Sequence, residues 1–553
     1  MPATKWWHNG AIYQVYPRTF YDANNDGMGD LYGLAQKIGY LKELGIDAIW
    51  LSPFFPSPLH DGGYDVADPR DVATELGGLP AFEFLVNSAQ DANIKLIIDL
   101  VPNHFSIEHE WFKSALKAQP GSVERARFHF LTGRGEAGEL PPNNWRSLFG
   151  GPAWTRITEP NGLPGQWYLH IFDSSQPDLN WTNSEVKQDF LQTLRFWLDK
   201  GVSGFRVDVA VGLMKDMSYQ DDVEPQLRVD AMRLDLFDPE NPELSEDIRK
   251  WAKDSPLFDR DEVHQIYAQW QEVFRDYSED VFAVAEAWAY PTDRAMAYAK
   301  SLGQVFNFDF MIVPFKAKLL AKTISEIIET SAKYETFPTW VLSNHDVSRV
   351  VSRLGGGQVG LDRARAMATL AHFLPGSIYV YQGEELGLPD AFIEPELRLD
   401  PIWEKSEHTQ IGRDGARAPI PWNSSLPNRG FSTSAKTWLP SPEDWQVTDV
   451  KTSLTDKTST YWLYRNLLAL RRNNSIWQTP LNQTSAQLVH DLLIVRRGQK
   501  GLCLVNPTND QKSHEFAPDD RFNLLIDSSG GLAKLISRYL DLPPNSAVIL
   551  EKL

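Results

Sequence analysis

Gly204-Phe205-Arg206-Val207-Asp208 is an apolar run that begins as a buried strand and delivers an arginine and a carboxylate at its end. A strand interior cannot hold an unpaired charge cheaply. Arg206 and Asp208, one strand period apart, should therefore share the end that faces solvent or ligand. Asp208 reads either as a nucleophile or as half of a structural salt bridge, and the pentapeptide alone leaves both open.

Outward from this run, strand-like apolar segments alternate with helical ones. The run itself extends over 202–207, and further strand-like segments lie at 11–16, 46–51, 94–101, 281–285, 305–308, 339–342 and 377–381. Between them, 31–44, 81–92 and 185–200 carry apolar residues at helical spacing. Repeated βα units favour a parallel sheet, and this number of them predicts an α/β fold, a (β/α)8 TIM barrel. A doubly wound open sheet is the competing topology, but no glycine fingerprint follows the first strand.

One connection, 105–178, is too long for a plain loop and is expected to be an inserted domain after the third strand. Two further insertions, 213–259 and 383–439, also follow barrel strands. All three project from the C-terminal face, where barrels build their sites. After a helix at 461–472 the pattern turns to short strands at 492–495, 502–505, 522–526 and 547–550. The expected organisation is a barrel over 1–104 and 179–475, an inserted domain over 105–178, and a C-terminal antiparallel β domain over 476–553.

The chain has 553 residues, 42% of them hydrophobic, and a net charge of −19. That balance argues against nucleic acid and anionic membrane as partners, since polyanion binding needs concentrated Lys and Arg. No apolar run is long enough to span a membrane. Cys503 is the single cysteine, and Met1-Pro2-Ala3-Thr4-Lys5-Trp6-Trp7-His8 lacks the apolar core of a signal peptide, so the expectation is a cytoplasmic protein. Nineteen tryptophans suit either sugar stacking or large cores.

The loop after the first strand, Asp22-Ala23-Asn24-Asn25-Asp26-Gly27-Met28-Gly29-Asp30, places oxygen side chains at every second position, like the first half of a calcium loop. Asp22, Asn24 and Asp26 would be ligands, Met28 would offer its carbonyl and Asp30 would close the site around a structural Ca2+ or Mg2+. An Asx-turn loop without metal is the alternative. No organic cofactor is expected.

The ends of successive strands are polar and carboxylate-rich. The third ends Asp99-Leu100-Val101-Pro102-Asn103-His104, the fourth at Asp208, the fifth Ala285-Glu286-Ala287-Trp288 and the seventh Ser343-Asn344-His345-Asp346. Core packing requires none of these. Glycoside hydrolysis needs one carboxylate to attack and a second, kept protonated, to protonate the leaving oxygen. The apolar residues before Glu286 suit the second role.

With these motifs in this order, the long third insertion and the terminal β domain, the chain resembles the α-amylase superfamily of retaining α-glycosidases over essentially its whole length. The resemblance implies that Asp208 is the nucleophile, Glu286 the general acid/base and Asp346 the carboxylate that binds substrate hydroxyls. His104 and His345 would hydrogen-bond the sugar, and Arg206 would keep Asp208 ionised. Gln176-Pro177-Asp178-Leu179-Asn180 is similar to the marker of the oligo-1,6-glucosidase and α-glucosidase branch. Gly63-Tyr64-Asp65 and Arg413-Asp414-Gly415-Ala416-Arg417 resemble the segments that close the pocket in that branch, so Asp65 and Arg417 are expected to form a salt bridge. Tyr64 would stack under the terminal glucose and Phe172 would line the wall.

The implied activity is an exo-acting α-glucosidase on short sugars. Val209 after the nucleophile matches a preference for α-1,6 bonds, whereas the 204–210 and 141–154 segments look more like bacterial enzymes of maltose-type bonds, and the reading leans to the latter. Sucrose isomerases, trehalose synthases and transglucosylases share these motifs. Transporter-subunit ectodomains that keep the barrel without its carboxylates do not fit, because all three carboxylates are present.

Overall fold

The computed structural model describes residues 5–232, 247–441, 445 and 448–553; the segment 233–246, within the insertion expected over 213–259, lies outside the described residues. Eight parallel strands form the central sheet: β1 (Ala11–Val15), β2 (Ala48–Leu51), β3 (Lys95–Leu100), β4 (Gly204–Val207), β5 (Phe282–Ala285), β6 (Gly303–Val305), β7 (Thr339–Val341) and β8 (Ser377–Tyr381). Their hydrogen-bonded order is β7-β8-β1-β2-β3-β4-β5-β6. The remaining seam is bridged by side chains: Asn307 Nδ2 donates to the Thr339 carbonyl at 2.9 Å, and the Thr339 hydroxyl reaches the Val305 carbonyl. The result is a nearly closed barrel, as the alternating pattern predicts.

Local sequence explains the elements. The strands are apolar on both faces because helices cover the outside while side chains fill the inside. The helix Ser184–Asp199 starts on the Asn183 side chain, which accepts from the Glu185 N–H, and it buries Val186, Phe190, Leu194 and Trp197. Ile38–Leu44 stops at Gly45, whose φ of 101° lies in the left-handed region that glycine adopts freely.

The sixth strand departs from expectation. The sequence pattern places it at 305–308, yet it occupies Gly303–Val305, and Phe308–Ile312 is helical. Tertiary contacts take over here. Asn307 turns inward to serve β7, and Phe308 stacks on Trp288 with ring centroids 3.5 Å apart.

The 105–178 connection folds as a small unit with helix Glu110–Lys117 and an antiparallel three-stranded sheet of Phe130–Leu131, Trp154–Thr158 and Pro164–Leu169. It is fastened to the barrel by a buried ion pair between Lys215 Nζ and Asp178 Oδ2 at 2.9 Å, with Lys215 also donating to Asn103 Oδ1 at 2.8 Å. The C-terminal region holds a five-stranded antiparallel sheet and a second, three-stranded one. Period-two alternation divides its core. Val495, Cys503, Val505, Ala547 and Ile549 pack with the barrel, and Ile494, Leu502, Leu504, Val548 and Leu550 pack against the smaller sheet. No helix of the described residues is long and apolar enough to cross a membrane.

The turn after β8 carries two buried carboxylates. Glu385 accepts from the hydroxyls of Tyr13 at 2.8 Å and Tyr40 at 2.6 Å. Glu384 accepts from Tyr464 at 2.8 Å through one oxygen, while its other oxygen has no hydrogen-bond partner among the described residues. Burial pushes Glu384 up to about 8 from an ordinary 4.5. A carboxyl raised in the folded state stabilises fully below its unfolded value, and that contribution is lost as pH rises through the folded one. The melting temperature is therefore expected to fall as pH rises from about 5 to 9, and to fall less in Glu384→Gln. Scanning calorimetry across that range checks this; parallel curves for both proteins would refute it.

Candidate active site

At the C-terminal ends of β3, β4 and β5 one guanidinium holds three carboxylates. Arg206 Nη1 lies 2.9 Å from Asp99 Oδ1 and 2.5 Å from Asp208 Oδ1, and its Nη2 lies 2.6 Å from Glu286 Oε2. The arginine is 1% exposed and packs over the Trp50 ring at 5.3 Å. Bridging both carboxylates through one planar fork suits the short separation of retaining enzymes, about 5–5.5 Å, better than the about 6.5–9.5 Å of inverting ones.

The arrangement alters one expectation. Arg206 was to hold Asp208 ionised, but its charge is divided among three carboxylates. Burial, reinforced by Glu286 and Asp99, outweighs it and pushes Asp208 well above the ordinary value. Burial likewise brings Asp99 up to about 7, against the opposing Arg206. The cluster has more negative than positive charge in a dry site, so it keeps a proton near neutrality, shared as a coupled unit.

The backbone beyond Asp208 is strained toward the same end. Val209 adopts φ 44°, rare for a β-branched residue and characteristic of functional turns. The turn directs the Val209 N–H to Glu286 Oε2 at 3.1 Å, while the Ala210 N–H donates to the Glu286 carbonyl at 2.9 Å. The Gly212 N–H closes it onto the Val209 carbonyl at 2.8 Å. A Cβ at Gly212 would sit 2.7 Å from Val209 Cγ1 and 2.8 Å from Asn103 Oδ1, so any larger residue would displace one of them.

Asp346 stands across the opening. His345 Nε2 is 3.1 Å from Asp346 Oδ2, and Arg413 and Arg417 reach Oδ1 at 3.0 and 3.2 Å. Burial opposes ionisation of Asp346, but these three neighbours outweigh it and hold the carboxyl below its usual range. His345 also contacts Gln14 Nε2 through Nδ1 at 2.8 Å, and burial keeps it neutral. Tyr64 stacks on His345 with centroids 5.1 Å apart and planes 2° from parallel, and its hydroxyl donates to Asp99 at 3.0 Å. His104, lowered to about 4 by burial, lies 3.1 Å from the Tyr64 carbonyl and 3.1 Å from Gln176 Nε2. Phe172 meets the His104 ring edge-on at 5.4 Å.

The expected Asp65–Arg417 pair does not form. Asp65 is turned away and accepts from Ser57 Oγ at 2.7 Å and from the His60 N–H at 2.9 Å, building the turn that follows β2. Arg417 donates to the His345 carbonyl at 2.9 Å as well as to Asp346. The bridge is made instead by Asp61 and Arg413, whose Oδ1 and Nη2 are 2.8 Å apart. Both lie in or beside the segments quoted from the sequence, Asp61 three residues before Tyr64 and Arg413 four before Arg417. Their spacing alone does not say which carboxylate faces the cleft. Sequence reasoning also passed over Asp99 and Gln176 as site residues; the former carried a signal as a charge inside a buried strand, and the latter opens the 176–180 motif.

In the 22–30 loop, Asp22 accepts from the N–H groups of Asn25 at 2.7 Å and Gly27 at 2.8 Å, and Asp26 from Met28 at 2.8 Å. Asn24 accepts from the Asp26 N–H at 2.9 Å. Asp30 accepts from the Ala23 N–H at 2.9 Å and caps a helix through the Gly33 N–H at 2.7 Å. Among the described residues no group of three or more His, Cys, Asp or Glu side chains converges as a metal centre.

The bridged carboxylates yield a direct expectation. Asp208→Asn and Glu286→Gln should fold with melting temperatures near that of the parent and lose nearly all turnover, since each removes one of two groups acting in a single displacement. Circular dichroism with an assay on a chromogenic glucoside checks this; near-parental turnover in either variant would remove the assignment.

Residues 14–479 match the family described as alpha amylase, catalytic domain. An oligo-1,6-glucosidase of Parageobacillus thermoglucosidasius is 32% identical over 513 residues, covering 85% of this chain and 84% of that protein. An alpha-glucosidase of Culex pipiens is 34% identical over 518 residues, covering 91% and 82%. Among solved structures, the trehalulose synthase MutB of Pseudomonas mesoacidophila MX-45 superposes with a TM-score of 0.86 at 29% identity, covering 100% of each chain. The carboxylate geometry and these likenesses agree: the chain belongs to the alpha-amylase family of glycoside hydrolases.

Proposed function

We propose that the protein is an exo-acting, retaining α-glucosidase that releases glucose from the non-reducing end of short α-glucosides, with maltose-type α-1,4 bonds preferred. The observation that carries the reading is the bridge that Arg413 makes between Asp61 and Asp346, which on this reading closes the cleft behind a single glucose. In the first step a carboxylate oxygen of Asp208 attacks the anomeric carbon, the glycosidic C–O bond breaks, and Glu286 gives its proton to the leaving oxygen. In the second, Glu286 takes a proton from water, which displaces Asp208 and frees glucose. The Val209 N–H fixes Glu286, and Asp346, held ionised by two arginines, accepts hydrogen bonds from sugar hydroxyls.

Val209 and the oligo-1,6-glucosidase relative favour a second reading, hydrolysis of isomaltose-type bonds. The trehalulose synthase neighbour favours a third, in which a sugar takes the place of water. One incubation with maltose, isomaltose, sucrose, trehalose and soluble starch, with products resolved, separates them. Glucose from maltose and almost none from starch is expected; a fast fall in starch viscosity with little free glucose would show an open cleft and overturn the exo assignment.

The 22–30 loop is proposed to hold a structural Ca2+ or Mg2+. Its alternating oxygens support this, and backbone N–H bonds use only part of each carboxylate's acceptor capacity. Chelation is expected to lower the melting temperature more than the turnover number; unchanged melting with and without chelator would refute it. The single cysteine, buried and unpaired, supports a cytoplasmic setting, where thiols stay reduced.

A further inference from the structure

Arg413 bridges two carboxylates of the opening, and a third carboxylate lies behind it. Asp61 and Asp346 each touch one terminal nitrogen, and both approach from the cleft side. The orientation comes from the other side. Asp400, in the long connection after β8, lies 2.7 Å from Arg413 Nε, which neither Asp61 nor Asp346 touches, and 3.1 Å from Nη2, a side-on grip on one edge of the guanidinium. The same carboxylate also accepts from the Arg413 backbone N–H at 2.6 Å.

Asp400 is itself fixed from several directions. Its side chain is fully buried. Its Oδ1 accepts from the Ile402 N–H at 3.0 Å, and its own N–H donates to Asp414 Oδ2 at 3.0 Å. Gly412 presses against it so closely that a Cβ there would lie 2.8 Å from Asp400 Cβ. Burial disfavours its charge, but Arg413 outweighs burial and keeps it ionised below the usual carboxylate range.

We propose that Asp400 is a positioning residue for the glucose pocket: it holds the Arg413 fork so that one terminal nitrogen meets Asp61 and the other Asp346, and through that fork it sets both pocket closure and the placing of Asp346. The inference deepens the α-glucosidase reading and rests on it. A fork free to turn about its long stem would keep its charge near the pocket and lose the paired geometry, and misplacement by about 1 Å is enough to cost about 100-fold in rate.

The test is a double-mutant cycle of Asp400→Asn, Arg413→Ala and both together, with kcat, KM and melting temperature measured on whichever α-glucoside the parent cleaves fastest. Choosing the substrate this way separates failure of the cycle from failure of the proposed linkage. Asp400→Asn retains the oxygen that accepts from Ile402, so the local turn keeps its cap. Its kcat/KM is expected to fall about 10–100-fold, and the double variant is expected to match Arg413→Ala within about twofold. Losses that multiply in the double variant would show that Asp400 acts independently of Arg413 and overturn the proposal, as would an Asp400→Asn enzyme with parental kcat/KM. Should Asp400→Asn melt early, Arg413→Lys decides: it keeps the charge without the fork, so a loss like that of Arg413→Ala supports the proposal, and parental activity overturns it.

Discussion

The Arg206 guanidinium is the constraint on which the rest of the site depends. It emerges at the end of β4, 1% exposed, between carboxylates from β3, β4 and β5. A buried charge of either sign standing alone would be strongly destabilising, so each carboxylate requires the arginine and the arginine requires them. One cation cannot satisfy three anions, and the surplus is what chemistry uses. A dry cluster with excess negative charge must keep a proton, and the transfer of that proton is half of a glycosidic cleavage.

Around this centre the barrel contributes rigidity and the insertions contribute shape. The Lys215–Asp178 pair fastens the third-strand insertion to the β3 end and to the turn after Asp208. His104 and Phe172 are brought together across the same joint. On the opposite side, the connection after β8 delivers Arg413 and Asp400, so the bridge between Asp61 and Asp346 comes from chain far from the nucleophile in sequence.

Strain and burial mark the chemistry. Val209 lies in the left-handed region, and that conformation aims its N–H at Glu286 Oε2. Asp346, partly exposed, and Asp208, buried, are driven in opposite directions: His345 and two arginines hold the first below its usual range, and burial with neighbouring carboxylates raises the second. Environments that drive like groups in opposite directions mark this opening as the seat of the chemistry.

The sequence by itself determined the barrel, because strand and helix periodicities are local and repeat often enough to count. It also determined which carboxylates end up at the opening, since a charge that closes an apolar strand has nowhere else to go. Where a long-range partner competes with local pattern it was less informative: β6 stops at Val305 because Asn307 is recruited to β7 and Phe308 to Trp288. Only the tertiary structure decided that Asp61 pairs with Arg413, where the motifs pointed to Asp65 with Arg417. In each segment two like residues stand four positions apart, and which aspartate meets which arginine depends on a turn built by Ser57 and His60 and on the grip of Asp400. Those contacts join residues distant in the chain, and spacing along the chain carries no record of them.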